Sequence, residues 1–221
     1  MNPLLLQPVP TGDATARYER LSHGAPKWLD LMPTPANGDD GGSFLGAPPA
    51  AAWPVFDGAA FVDVGQPAKL NFAGAFSIGF WVKQDPTAPG PTWERVIARP
   101  GAYLGNEVDS DGKIAGFLYR TVGGTSSATT GPNAVNNWYY VTYVNEGTGN
   151  DLVMYVNGAE GKRTVGGGGI MTAAAVDLYL GNQPSLVSGF QGLLDTVRFY
   201  SRALSPDEIL RDYYAGQPAH P

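Results

Sequence analysis

The sequence predicts an all-β protein: a two-sheet antiparallel sandwich of jelly-roll type, with a short C-terminal helix and an extended, irregular N-terminal arm. Three observations carry this. Glycine (30) and proline (19) are abundant while charged residues make up 15%, well below the roughly 25% of an average globular chain. Short runs of alternating apolar and polar residues recur between turn signals. Strongly helical windows are almost absent, and the clearest helix start lies near the end.

Residues 1–54 read as the arm. They carry Pro3, Pro8, Pro10, Pro26, Pro33, Pro35, Pro48 and Pro49, and a flexible "NGDDGGS" at 37–43. Only "ATARYERLSHG" could make a helical turn or two. Such a segment buries too little apolar surface to offset its own ordering entropy. Its apolar residues fall in small clusters, so Leu4, Leu5, Leu6, Trp28, Leu29, Leu31 and Phe44 are the expected anchors on a partner surface.

Residues 55–221 read as the sandwich. In "FSIGFWVK" Phe76, Ile78, Phe80 and Val82 alternate with Ser77, Gly79, Trp81 and Lys83, the period of a strand. "AYLGNEVDSDGKIAGFLYR" predicts two strands around an Asp111-Gly112 turn. "NWYYVTYV" (137–144) and "DLVMYVNG" (151–158) are joined by a Gly147–Asn150 turn, and Asn157-Gly158 supplies the next reversal. "AVDLYLG" (175–181) and an opening strand complete the set. The glycine-rich pieces at 123–131 and 166–169 read as loops, without the Lys-Ser/Thr of a phosphate loop.

The last strand, "LLDTVRFY", places Leu193, Val197 and Phe199 on one face and Leu194, Thr196, Arg198 and Tyr200 on the other, so that Asp195 falls on the apolar side. A helix over about 205–214 follows. Ser205 is its N-cap, Pro206 its first residue, and Glu208 closes a capping box; Leu204 and Ile209 stand at staple positions. It is expected to stop before Gly216 and Pro218.

Composition excludes several functions. The net charge is −6 and the pI about 4.8, with no Lys/Arg cluster, which removes the electrostatic footprint of nucleic-acid binding. There is no cysteine, hence no disulfide framework and no thiolate zinc site. No apolar run approaches the ~18 residues of a membrane span. "MNPLLLQPVPTGD" lacks the basic start of a signal peptide, so synthesis in a cytoplasm without secretion is expected.

Taken together, "VFDGAAFVDVG", "FAGAFSIGFWVK", "RVIARPGAYLGNEVDSDGKIAGF", "NNWYYVTYV…DLVMYVNG", "LYLGN" and "GFQGLLDTVRFYSRALSPDEI" resemble the laminin-G-like, concanavalin A-like jelly-roll domains over residues 55–214. The C-terminal stretch is the most specific, through Gly192, Leu194, Asp195, Val197, Arg198, Tyr200, Arg202, Leu204, Ser205, Glu208 and Ile209. It departs at Thr196, where the family usually has an acid. The resemblance implies two antiparallel sheets packed face to face in a domain that binds or adheres. Fold does not fix function.

Asp195 is the sharpest single residue, because an ionised carboxylate among apolar groups is costly unless paired or bound to a cation. The resemblance implies a structural calcium held by Asp57 and Asp195 through hard oxygen ligands. The alternative is that backbone N–H groups or an arginine satisfy Asp195 and tie the last strand to the first. Apart from that calcium, no cofactor is expected. Glu107-Val-Asp109 has the look of the paired acids of sandwich-fold glucanases, but Asp111-Gly112 follows at once and leaves no strand position for the second acid. Trp81, Trp93, Trp138, Tyr119, Tyr139, Tyr143, Tyr155 and Tyr179 could stack on sugars, though half or more should cover sheet faces. His23 and His220 lie in the terminal segments and suggest no catalysis.

The expectation is therefore a non-enzymatic structural or adhesion protein. A signal-less, cysteine-free jelly-roll knob on an anchored arm would suit a bacteriophage virion, as a capsid decoration or accessory fibre bound to other virion proteins and as a homo-oligomer. The alternative is a carbohydrate-binding, lectin-like module touching a cell-surface glycan; the third reading is a sandwich-fold glycan hydrolase. Neither nucleic acid nor membrane is expected as a partner.

Overall fold

The computed structural model describes residues 55–66, 68–86, 94–100, 103–108, 113–119, 125–130, 136–147, 151–165, 176–182, 189–217 and 220, together with the backbone of 29–31 and 43–45. In chain order the strands are β1 (Leu29–Leu31), β2 (Ser43–Leu45), β3 (Val55–Asp57), β4 (Val62–Gly65), β5 (Phe76–Gln84), β6 (Glu94–Ala98), β7 (Tyr103–Val108), β8 (Ile114–Tyr119), β9 (Thr125–Thr130), β10 (Tyr139–Asn145), β11 (Leu152–Val156), β12 (Ala159–Thr164), β13 (Leu178–Leu180) and β14 (Gln191–Tyr200). One helix, α1 (Pro206–Gly216), follows.

Two antiparallel sheets face each other, in the orders β12-β11-β10-β5-β14-β3 and β4-β13-β6-β7-β8-β9. The alternation in β5 works as the sequence predicts: Phe76, Ile78, Phe80 and Val82 enter the space between the sheets. They meet Val62, Val96, Ile114, Leu178 and Leu180 of the opposite sheet. Of the outward residues of β5, Ser77, Gly79 and Trp81 are buried too and Lys83 is half-buried, because α1 packs on that face. Trp81, Tyr140, Val144, Val153, Tyr155, Leu204 and Ile209 form this second apolar layer; burying a side chain of this size contributes about 1.5–3 kcal/mol.

The hairpin from β11 to β12 turns at Asn157 (φ +50°) and Gly158 (φ +82°), the two left-handed positions that an Asn-Gly reversal supplies. At the head of α1 the capping box forms, with Ser205 accepting from the Glu208 N–H and Glu208 accepting from the Ser205 N–H. The Arg202 guanidinium and these cap bonds hold the Glu208 carboxyl down at about 2. Leu204 and Ile209 are both buried beneath the first turn. Ser77 ties this corner to β5: its hydroxyl donates to the Arg202 carbonyl and accepts from the Leu204 N–H, both at 2.9 Å.

Three expectations need correction. Residues 125–130 are not loop but strand β9, paired with β8. The polar run "TSSATT" carries no apolar alternation because it pairs at a sheet edge; its threonines supply the β-branched backbone preference instead. The helix runs on through Gly216, with Gln217 still in the right-handed region.

The third correction concerns β14. Leu194, Val197 and Phe199 enter the core, and Leu193 does not. The register with β5 slips between Asp195 and Arg198, and Thr196 takes φ +49°. This bulge inserts one residue and reverses the inward face partway along the strand. Asp195 therefore belongs to the outer face, opposite Trp81 and under α1, not to the face of Val197 and Phe199.

Candidate functional site

On that outer face the Asp195 carboxylate meets the only imidazole among the described residues. His220 Nε2 lies 2.9 Å from Asp195 Oδ2, with side-chain exposures of 1% and 2%. Asp195 Oδ1 accepts the Thr196 N–H at 2.7 Å, so the bulge aims the acid as well as displacing it. His220 Nδ1 lies 2.7 Å from the carbonyl of Gly216.

Aromatic rings wall the pair. The His220 ring stacks on Trp81 at 4.1 Å and 4°, and Trp138 approaches it edge-on at 4.7 Å. Tyr213 of α1 stacks on Trp81 at 5.7 Å, with Tyr140 tilted against the indole at 5.4 Å. Gly216 allows the helix end to come this close: a Cβ there would sit 2.3 Å from Trp81 Nε1. Beside the cluster, Asp212 accepts from the Tyr200 hydroxyl at 2.8 Å and pairs with Arg198 at 3.4 Å. Burial, first, and then the Asp212 charge push the Tyr200 phenol above its ordinary value.

A second acid lies where the chain crosses between the sheets. Glu94, the first residue of β6, is wholly buried, and its Oε2 accepts the Gln191 N–H at 3.0 Å. Burial pushes its carboxyl up to about 7, against the opposing pull of bonds from Gln191 and Gln84. Its other oxygen has no hydrogen-bond partner among the described residues.

The sequence-predicted residues distribute as follows. Asp57 is exposed and caps its own turn, accepting the Ala59 and Ala60 N–H groups at 3.0 and 2.8 Å. It stands opposite Gln191, whereas Asp195 stands opposite Trp81. Four residues of strand separate them along β14, about 13 Å, so one calcium ion cannot bridge the two carboxylates. Among the described residues no group of three His, Cys, Asp or Glu side chains is placed to hold a metal.

Of the arm anchors, Leu4, Leu5, Leu6 and Trp28 lie outside the described residues. Leu29, Leu31 and Phe44 lie on β1 and β2, which pair with Leu29 opposite Leu45. Glu107 is on β7, opposite Arg95 and Ala115; Asp109 and Asp111 lie outside the described residues. Among the aromatics, Trp81, Tyr143, Tyr155 and Tyr179 are buried and Trp138 and Tyr139 half-buried. Tyr213 and Glu94 escape sequence reasoning, which marks His220 only as non-catalytic and Gly216 only as a helix stop. The one available signal was that Asp195 required a partner; nothing local marks a histidine 25 residues later as that partner.

A family model described as the concanavalin A-like lectin/glucanases superfamily matches residues 56–210. No curated protein sequence matches the chain. Among solved structures, the binding domain of botulinum neurotoxin DC in complex with SialylT is 13% identical with a TM-score of 0.59, over 90% of this chain and 46% of that one. The same toxin's binding domain in complex with rat synaptotagmin II gives 14% and 0.60, over 90% and 47%. The binding domain of Paraclostridial Mosquitocidal Protein 1 gives 16% and 0.59, again over 90% and 47%. The chain thus spans about half the length of these structures, and at such identities the likeness is one of fold.

Proposed function

Because the chain belongs to the concanavalin A-like lectin/glucanases superfamily, a fold it shares with toxin binding domains, we propose that it is a non-enzymatic binding and adhesion domain. The observation that carries this reading is what the buried and half-buried acids do. Asp195 is engaged by His220 and its own turn, Asp212 by Tyr200 and Arg198, Glu208 by the helix cap and Arg202, and Glu94 by the Gln191 N–H under cover. These acids hold strands and helix together. Glycoside cleavage instead requires two carboxyl groups about 5–10 Å apart in an open cleft.

The finer reading is that of a virion component. Residues 1–54 serve as an attachment strap, and residues 55–221 as the knob it displays on a phage capsid or tail, in a homo-oligomer. The composition of the arm supports this: small apolar clusters separated by proline and glycine suit an extended segment that wraps a partner, with proline lowering the ordering cost. Deleting residues 1–52 is expected to leave a folded sandwich that no longer joins its assembly. Full occupancy of the truncated domain on the particle would sink this reading.

A lectin-like role is the second reading, supported by the toxin binding domain solved in complex with SialylT and by Tyr214, exposed on α1 beside Tyr213. A glycan array probed with the intact chain tests it, and Tyr214→Ala should weaken any binding found. Cleavage of a β-glucan that disappears in Glu107→Gln would overturn the non-enzymatic reading itself.

A further inference from the structure

We propose that Trp81, Trp138, Asp195 and the Gly216 carbonyl form a binding site for a planar imidazolium cation, a site the chain fills in cis with His220 and thereby clasps the end of α1 to the sheet. The hydrogen bonds set the protonation. A carbonyl oxygen can only accept, so the 2.7 Å contact with Gly216 requires a proton on Nδ1. The 2.9 Å contact between Nε2 and Asp195 Oδ2 requires a proton between the two atoms; two facing lone pairs would repel.

Three contacts place the positive charge on the ring and the negative charge on the acid. Asp195 Oδ1 takes the Thr196 N–H at 2.7 Å, a bond strengthened by an anionic acceptor. The imidazole lies flat on Trp81, 4.1 Å centroid to centroid, within the range in which an indole face attracts a cation. The Gly216 carbonyl ends α1, where the helix dipole presents its negative pole.

The titratable and charged groups facing the ring are few. Among the described residues they are Asp195 of β14, Tyr140 of β10 against the indole and Tyr213 of α1; Lys83 lies two residues from Trp81 on the same side of β5, opposite Leu193. Arg198 is paired with Asp212 at 3.4 Å. The site is therefore a flat aromatic slot with one anion and one carbonyl at opposite ring edges, complementary to a five-membered ring that carries two opposed N–H donors.

Chemical rescue tests this. His220→Gly empties the slot and should lower the melting temperature by roughly 5–10 °C. Imidazole at tens of millimolar should restore about half of that loss or more below about pH 6.5, where the ring is charged, and little at pH 9. 1-Methylimidazole, which lacks one N–H, should restore much less, and wild type should not respond. The double variant Asp195→Asn/His220→Gly should not be rescued. Equal rescue by 1-methylimidazole, equal rescue in the double variant, or none in folded His220→Gly would overturn the proposal. If His220→Gly does not fold, nitrogen NMR of the wild-type His220 ring decides: two protonated nitrogens at pH 6 support the site, and a neutral ring overturns it.

Discussion

His220 Nε2 and Asp195 Oδ2 meet at 2.9 Å with both side chains almost wholly removed from water. One end of this contact lies on the last strand and the other beyond α1, the only α-helix of the described residues. The contact therefore closes a loop of chain that contains all of α1. Removing one partner of a buried hydrogen-bonded pair leaves the other unsatisfied, at a cost of about 1–3 kcal/mol. Asp195→Ala and His220→Ala should each lose about that much in urea unfolding. The double variant should lose less than the sum, because a coupling energy of about 2 kcal/mol vanishes with the first substitution. Additive losses would mean that the contact is incidental.

Gly216→Ala sets two effects against each other. Within a helix, alanine is favoured over glycine by about 1 kcal/mol. Here the new methyl would lie 2.3 Å from Trp81 Nε1 and 2.9 Å from its Cε2. The indole is buried and packed against Tyr213, His220 and Tyr140, so it has little room to retreat. Overpacking of this kind costs about 1–3 kcal/mol, so the variant should have a lower melting temperature than wild type. A rise would show that the end of α1 is free to move.

Glu94 should make stability depend on pH. Burial raises its carboxyl from 4.5 to about 7 in the folded protein, so between those values the folded state holds a proton that the unfolded chain releases. Its contribution is fully present below 4.5 and lost as the pH rises through about 7, on the order of 3 kcal/mol. Glu94→Gln keeps the shape without the titration. The stability difference between variant and wild type should therefore grow in the variant's favour from pH 4.5 to 8; a flat difference would contradict the assignment.

Thr196 occupies φ +49°, a region that costs a β-branched residue about 1–2 kcal/mol. Thr196→Asn retains a side chain yet tolerates this backbone, and should gain about 0.5–1 kcal/mol in denaturant melts. A loss would indicate that the threonine side chain makes a contact worth more than the strain.

Much of the architecture was legible because it is written at short range. The alternation of β5, the Asn157-Gly158 turn, and the box and staple at Ser205, Glu208, Leu204 and Ile209 each need only neighbours within a few residues. Their structures follow from pleat, φ preference and cap bonding. Strand β9 was missed for the complementary reason: an edge strand of serine and threonine carries no apolar period, and its place is fixed by pairing with β8.

The bulge and the buried pair lie beyond that range. Period-2 reading assumes an unbroken pleat, so an inserted residue at Thr196 turned the predicted face of β14 over and sent Asp195 to the wrong side. The sequence by itself determined that this carboxylate needed a partner, because desolvating a charge is costly wherever it occurs. Only the tertiary structure decided that the partner is His220: the choice depends on Trp81, Trp138 and Gly216 converging from β5, the lead-in to β10 and the end of α1, and no local pattern encodes how separate elements meet.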